Sequence, residues 1–216
     1  MKINIMPNPN PVKDADRERF VAEPGFGKYF TDHMLVAEWN QNSGWNDAEL
    51  KSYGPISLDP AAMVFHYGQE IFEGMKAYRQ PDGSVALFRP DANGARFMRS
   101  AARVALPELP VADFVNCVEE LVKLESKWVP SKIGESLYLR PFMIATEVGL
   151  GVRPSNKAMF SIIATPAGAY FNAEKAVTVW ISTEYVRAAQ GGTGEAKCGG
   201  NYAASLLAQQ EAAKQG

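Results

Sequence analysis

Apolar positions recur along this chain with two different periods, and the switches between them mark out its elements. The plainest helix covers 111–128, where Val111, Phe114, Val115, Val118, Leu121 and Val122 return every three or four residues and Pro130 stops the run. A second helix is predicted over 91–104. Arg96, Arg99 and Arg103 fall on one side of it, Asp91 stands where it could cap the start, and Pro107 and Pro110 break it. Strands are predicted over 30–39, 48–53, 136–144, 159–165 and 177–182, with Asn42-Ser43-Gly44 as a turn. The run at 159–165 is apolar almost throughout, as a central strand requires. Residues 75–78 and 85–88 flank Pro81-Asp82-Gly83 and form a hairpin pattern.

Period two is most informative in 136–144. Leu137 and Leu139 share one face, while Tyr138 and Arg140 share the other. If the leucines enter the core, the phenol and the guanidinium project together, either into water or into a cleft that binds an anion. A helix is predicted to start at Ser57-Leu58-Asp59-Pro60, with an apolar face over 61–65. The aromatics, carboxylates and glycine of 66–74 suit a helix end with core side chains as well as they suit a site. Near the C-terminus, 202–214 reads as a helix, with Asn201 as its N-cap and Gly216 at its C-cap. Residues 1–25, rich in Asn and Pro, read as an arm.

Composition narrows the class. The chain has 216 residues, enough for one large domain or two small ones; 46 % are hydrophobic and 21 % charged, which argues against disorder. A net charge of −2 offers nothing to nucleic acid or an anionic membrane. No apolar run approaches the ~18 residues of a membrane span, and the N-terminus lacks the pattern of a secretory signal. Cys117 and Cys198 are the only cysteines and form no CxxC; Cys117 falls on the apolar side of a helix and reads as a small core residue. His33 and His66 have no metal-ligand spacing. The expectation is a reduced, metal-free, cytoplasmic protein.

Candidate chemistry concentrates in 191–202, where five glycines surround Lys197, followed by Asn201 and Tyr202. Clustered glycine answers a need for positive φ or for close approach to the main chain. A lysine held there suits covalent amine chemistry, since a lysine of shifted pKa forms a Schiff base with a carbonyl compound. Taken alone, the same residues also suit a flexible loop that carries a lysine.

Further segments carry a resemblance: Phe26-Gly27-Lys28, Phe30-Thr31-Asp32-His33-Met34, His66-Tyr67, Phe72-Glu73-Gly74-Met75-Lys76-Ala77-Tyr78, Leu87-Phe88-Arg89-Pro90, Ser136-Leu137-Tyr138-Leu139-Arg140-Pro141, Gly149-Leu150-Gly151-Val152, Gly168-Ala169-Tyr170-Phe171 and the lysine nest. In this order the chain resembles the branched-chain amino acid aminotransferases, class IV (fold type IV) pyridoxal-phosphate enzymes, and most of all their actinobacterial type. The likeness runs from Gly25 onward. It implies an α/β fold: an α+β-like small domain at 26–168, a connection at 169–176, and at 177–216 the first elements of a large pseudo-barrel domain.

The resemblance also implies roles. Lys197 would bind pyridoxal 5′-phosphate covalently and serve as the base of the proton shift. Tyr202 would hydrogen-bond the phenolic oxygen of the cofactor, and Arg96 would hold its phosphate. Phe26, Phe72, Tyr138, Tyr170 and Tyr202 would line an apolar substrate pocket, and Arg140 would receive the distal carboxylate of glutamate or 2-oxoglutarate. Tyr67, Leu150 and Val152 would reach into the pocket of a second subunit, making a homodimer. Arg89, Arg99 and Arg103 match no such role and read as solvated or structural. The implied reaction is amino transfer between leucine, isoleucine or valine and 2-oxoglutarate. A D-amino acid transaminase, an aminodeoxychorismate lyase and a catalytically incomplete fragment are the alternatives. Family members continue well past the lysine, to an acidic partner of the pyridine nitrogen, so this chain is expected to be a fragment.

Overall fold

The alternation read in 136–144 builds the middle of one sheet. In the computed structural model, which describes residues 1–169, 176 and 178–215, β8 (Ser136–Ala145) pairs along its whole length with β9 (Lys157–Ala167). Leu137, Leu139 and Met143 are buried in the core, while Tyr138 and Arg140 face the other way and are partly exposed. β9 is buried over nearly its whole length, as its unbroken apolar run predicted.

Around this pair the order is β1 (Ile3–Ile5), β4 (Ala48–Ser52), β2 (His33–Asn40), β9, β8, β6 (Met75–Arg79) and β7 (Val85–Leu87). β3 (Gly44–Trp45) extends the β2 hairpin, and β5 (Glu70–Phe72) pairs with β8 beyond β6. Among the described strands, only β1 with β4 pairs parallel. The hairpin predicted at Asp82-Gly83 is present, with Gly83 at φ +85°. α3 (Pro90–Arg103) and α4 (Val111–Leu124) cover one face of the sheet, and Phe97, Phe114 and Phe160 meet at their junction.

The break between β5 and β6 has a local cause. A strand residue points its N–H and C=O to the same side, and Pro141 has no N–H to give. Its carbonyl accepts from Glu73 N–H at 2.7 Å, but the ladder cannot continue there. The ladder is interrupted at Glu73-Gly74 without a change of register, and the Glu73 side chain, on the same face as Ile71 and Met75, is fully buried.

Several expectations need correction. Residues 1–25 contain β1 and α1 (Asp14–Ala22), and Met1, Ile3, Val12 and Phe20 pack on the core. Asp32, read as part of a strand, lies just before β2 as a hub: its carboxylate accepts from Val12 N–H at 2.6 Å and Trp128 Nε1–H at 2.9 Å. The helix expected from Ser57 begins at α2 (Met63–Tyr67); Asp59 instead closes a turn onto Ala61 and Ala62. The long helix stops at Leu124, and a 3₁₀ turn, Ser126–Trp128, completes the span. Asp91 makes no cap bond, and Arg89 takes the left-handed N-cap position at φ +49°. Residues 178–182 form no strand; Val179 and Ile181 are 76 % and 80 % exposed, with no neighbouring strand among the described residues to pair them. The expected helix over 202–214 is two, α5 (Gly199–Ala203) and α6 (Leu206–Lys214). Tyr170, Phe171 and the proposed C-cap Gly216 lie outside the described residues.

Candidate active site

The main chain around Lys197 is tied down before its side chain is. Phe72 N–H, at the end of β5, donates to the Lys197 carbonyl at 2.9 Å. Lys197 N–H donates to the hydroxyl of Ser100, buried on α3, at 2.9 Å, and Gly199 N–H donates to the Glu70 carboxylate. A Cβ at Gly199 would collide with that carboxylate and push it aside, so glycine there permits the close approach. Ala196 and Cys198 are buried in the core on either side, which leaves the lysine side chain to point outward from it.

Asn201 is not an N-cap; Cys198 occupies that position. Asn201 is buried and folds the nest: Nδ2 donates to the carbonyls of Thr193 at 2.8 Å and Ala196 at 2.7 Å, and Oδ1 accepts from Thr193 Oγ1 at 2.9 Å. Arg103, left without a role by the sequence, donates Nη2 to the carbonyls of Gly191 and Gly192 at 3.0 and 3.1 Å. It is a structural clamp on the glycine-rich approach to the lysine.

Side chains from four segments then converge. Lys197 Nζ donates to Tyr202 OH at 2.6 Å and lies 4.5 Å from the centre of the Phe72 ring. Phe72 and Tyr202 are 4.9 Å apart, ring to ring. The Arg140 guanidinium sits 4.9 Å from the Phe72 ring centre and donates Nη2 to Tyr138 OH at 2.9 Å. Phe26 meets Tyr138 edge-on at 5.2 Å. The shared face predicted for Tyr138 and Arg140 therefore opens on the lysine and not simply on water. Gly74 makes room for this arrangement, because a Cβ there would strike the Tyr138 hydroxyl.

Arg96 joins from α3. Its Nε donates to Glu73 Oε1 at 2.5 Å and its Nη2 to Glu73 Oε2 at 2.7 Å. Glu73 holds the guanidinium above its ordinary pKa, and the nearby Tyr202 oxygen adds to the effect. Burial pushes the Glu70 carboxyl above its usual range, partly offset by the Gly199 N–H. Burial also pushes the Cys117 thiol up to about 12, in keeping with a core residue. Tyr67 OH donates to the Leu150 carbonyl, but Tyr67, Leu150 and Val152 lie at the surface and share no hydrogen bond with the Lys197 cluster among the described residues. Tyr170 is outside them. Among the described residues no cluster of His, Cys, Asp and Glu could hold a metal. Glu70, Glu73 and Ser100 escape sequence reasoning because nothing in their local spacing links them to residues 23 to 129 positions away.

A sequence profile described as amino-transferase class IV matches residues 70–216. The chain belongs to the class IV aminotransferases. Among relatives of this aminotransferase chain, a probable branched-chain-amino-acid aminotransferase of Streptomyces coelicolor is 59 % identical over 216 residues, covering 99 % of this chain and 60 % of the relative. The branched-chain-amino-acid aminotransferase of Mycolicibacterium smegmatis is 58 % identical over 218 residues, covering 100 % and 59 %. The chain thus spans about 60 % of the length of the curated relatives it matches. In three dimensions it resembles the T.th. branched-chain amino acid aminotransferase complexed with N-(5′-phosphopyridoxyl)-L-glutamate, with TM-score 0.66 and 26 % identity over 90 % of this chain and 57 % of that one. The Thermoproteus uzoniensis branched-chain aminotransferase shares the fold, with TM-score 0.64 and 22 % identity over 84 % and 57 %.

Proposed function

We propose that the whole protein is a branched-chain amino acid transaminase that uses pyridoxal 5′-phosphate and works as a cytoplasmic homodimer. The observation that carries the reading is the Lys197 amine, 2.6 Å from the Tyr202 phenol, at the centre of a cluster with one arginine on either flank. The residues fit the cofactor. A covalent amine, a phenol for the ring oxygen and an arginine fork partly open to solvent are the groups its aldehyde, ring and phosphate call for. Bound pyridoxal phosphate supplies the carbonyl and the electron sink that make a substrate Cα–H acidic.

The chain's own residues do the rest. Lys197 Nζ would hold the cofactor through its aldehyde carbon and, as the free amine, would carry the Cα proton of the substrate. Tyr202 OH holds that nitrogen in place and accepts its hydrogen. Phe72, Tyr138 and Phe26 give an apolar wall for a branched side chain. Arg140 would receive the distal carboxylate of glutamate or 2-oxoglutarate, and its half-buried guanidinium beside the Tyr138 hydroxyl and the Phe72 ring supports that reading. Residues 26–168 then form the small domain and 177–216 the beginning of the large one. Tyr67, Leu150 and Val152 form the part of the surface that a second subunit would meet.

Borohydride reduction of the whole gene product with pyridoxal phosphate, followed by peptide mapping, tests this. A pyridoxyl group on Lys197, lost in Lys197→Ala, is the expected result, and labelling elsewhere would refute it. Faster turnover of L-leucine than of D-alanine is expected; the reverse would favour a D-amino acid transaminase.

A further inference from the structure

We propose that Glu73 is a positioning residue that aims Arg96 at the cofactor phosphate, an inference that rests on the phosphate role of Arg96 in the function proposed above. Glu73 is fully buried, in the two-residue break between β5 and β6. A buried carboxylate persists only where donors replace its water, and here four do. Arg96 Nε and Nη2 bind its two oxygens at 2.5 and 2.7 Å; Asn93 Nδ2 and Gly74 N–H reach Oε2 at 2.9 and 3.1 Å. The arginine is not buried with it: 45 % of its side chain is exposed. The pair is therefore lopsided, with a rigid, saturated acid inside and a half-open base outside.

A guanidinium is planar, so binding one edge to a fixed carboxylate fixes the direction of the other edge. The edge left over is Nη1, which has no partner among the described residues. Arg96 stands one helical turn before Ser100 on α3, and the Ser100 hydroxyl accepts from Lys197 N–H, so the guanidinium lies on the side of the helix that meets the Lys197 segment.

Two effects of Glu73 oppose each other, and the experiment separates them. Its negative charge weakens the Coulomb pull of Arg96 on a phosphate; its fixed geometry removes the cost of orienting a long side chain on binding. The inference is that orientation dominates. In the whole gene product, dissociation constants of pyridoxal 5′-phosphate and of pyridoxal, which lacks the phosphate, are measured by absorbance titration for wild type, Glu73→Gln and Arg96→Gln. Glu73→Gln is expected to weaken the phosphate form about tenfold and pyridoxal less than about twofold. Equal weakening of both would mean a general structural role, and unchanged or tighter binding of the phosphate form would mean a mere counter-charge; either overturns the inference. Should Glu73→Gln not fold, Asn93→Ala removes one donor from Oε2 and keeps the charge. It is expected to give a smaller loss confined to the phosphate form, and its absence counts equally against the inference. A phosphate-specific loss in Arg96→Gln without one in Glu73→Gln sinks this inference alone. No phosphate-specific loss in Arg96→Gln sinks the anion role of Arg96 as well.

Discussion

At the scale of single residues, the Glu70 carboxylate joins stability to pH. Burial raises its pKa from an ordinary 4.5, so the folded chain holds this proton to higher pH than the unfolded chain does. The stability so gained is complete below about 4.5 and is lost as pH rises through the raised value. In Glu70→Gln the amide oxygen still accepts from Gly199 N–H but cannot ionise. Urea midpoints measured across acid to neutral pH are expected to fall less with rising pH in this variant than in wild type; parallel curves would exclude Glu70 as the source. Gly74 gives a second residue-scale prediction. Alanine there displaces the Tyr138 hydroxyl and with it Arg140. Steady-state kinetics of the proposed reaction should show KM rising for both substrates, about tenfold for 2-oxoglutarate and less for the 2-oxo acid of leucine, and equal or absent rises would break the link from Gly74 to Arg140. Period two alone put Tyr138 and Arg140 on one face, where the structure has them; the glycines singled out Lys197, and only the resemblance singled out Arg96. Glu73 was not legible in the sequence, because its partner lies 23 residues away on another element and no periodicity connects them.

Elements were legible where their own residues determine them. α4 and β9 follow from apolar spacing, and the β6–β7 hairpin follows from Asp82-Gly83. The failures lie where a distant partner decides. Asn201 has the local propensity of a cap, yet its side chain serves carbonyls of the preceding loop and draws the nest into a knot at the head of α5. Alternation in 178–182 promises a strand, but a strand needs a neighbour, and none of the described residues supplies one. The knot can be tested by Asn201→Ala. It removes three hydrogen bonds at a buried position and should cost about 2–3 kcal/mol in urea unfolding. A cost below about 0.5 kcal/mol would mean the nest holds itself by its backbone.

For the whole molecule, Val148, Leu150 and Val152 expose apolar side chains on one short segment, and the surface tyrosine Tyr67 donates to its Leu150 carbonyl. Leu150→Asp should shift the homodimer proposed for the whole gene product to monomer in sedimentation velocity, and an unchanged dimer would move the interface elsewhere. Lys197 follows the long stretch that leaves β9, yet its carbonyl and amide are hydrogen-bonded to β5 and α3, and Arg96 is on α3 too. In the function proposed above, both handholds of the cofactor are thus tied to α3. A hinge elsewhere in the protein would open or shut the way in for substrate as a door swings on a fixed frame, without loosening the grip at either end.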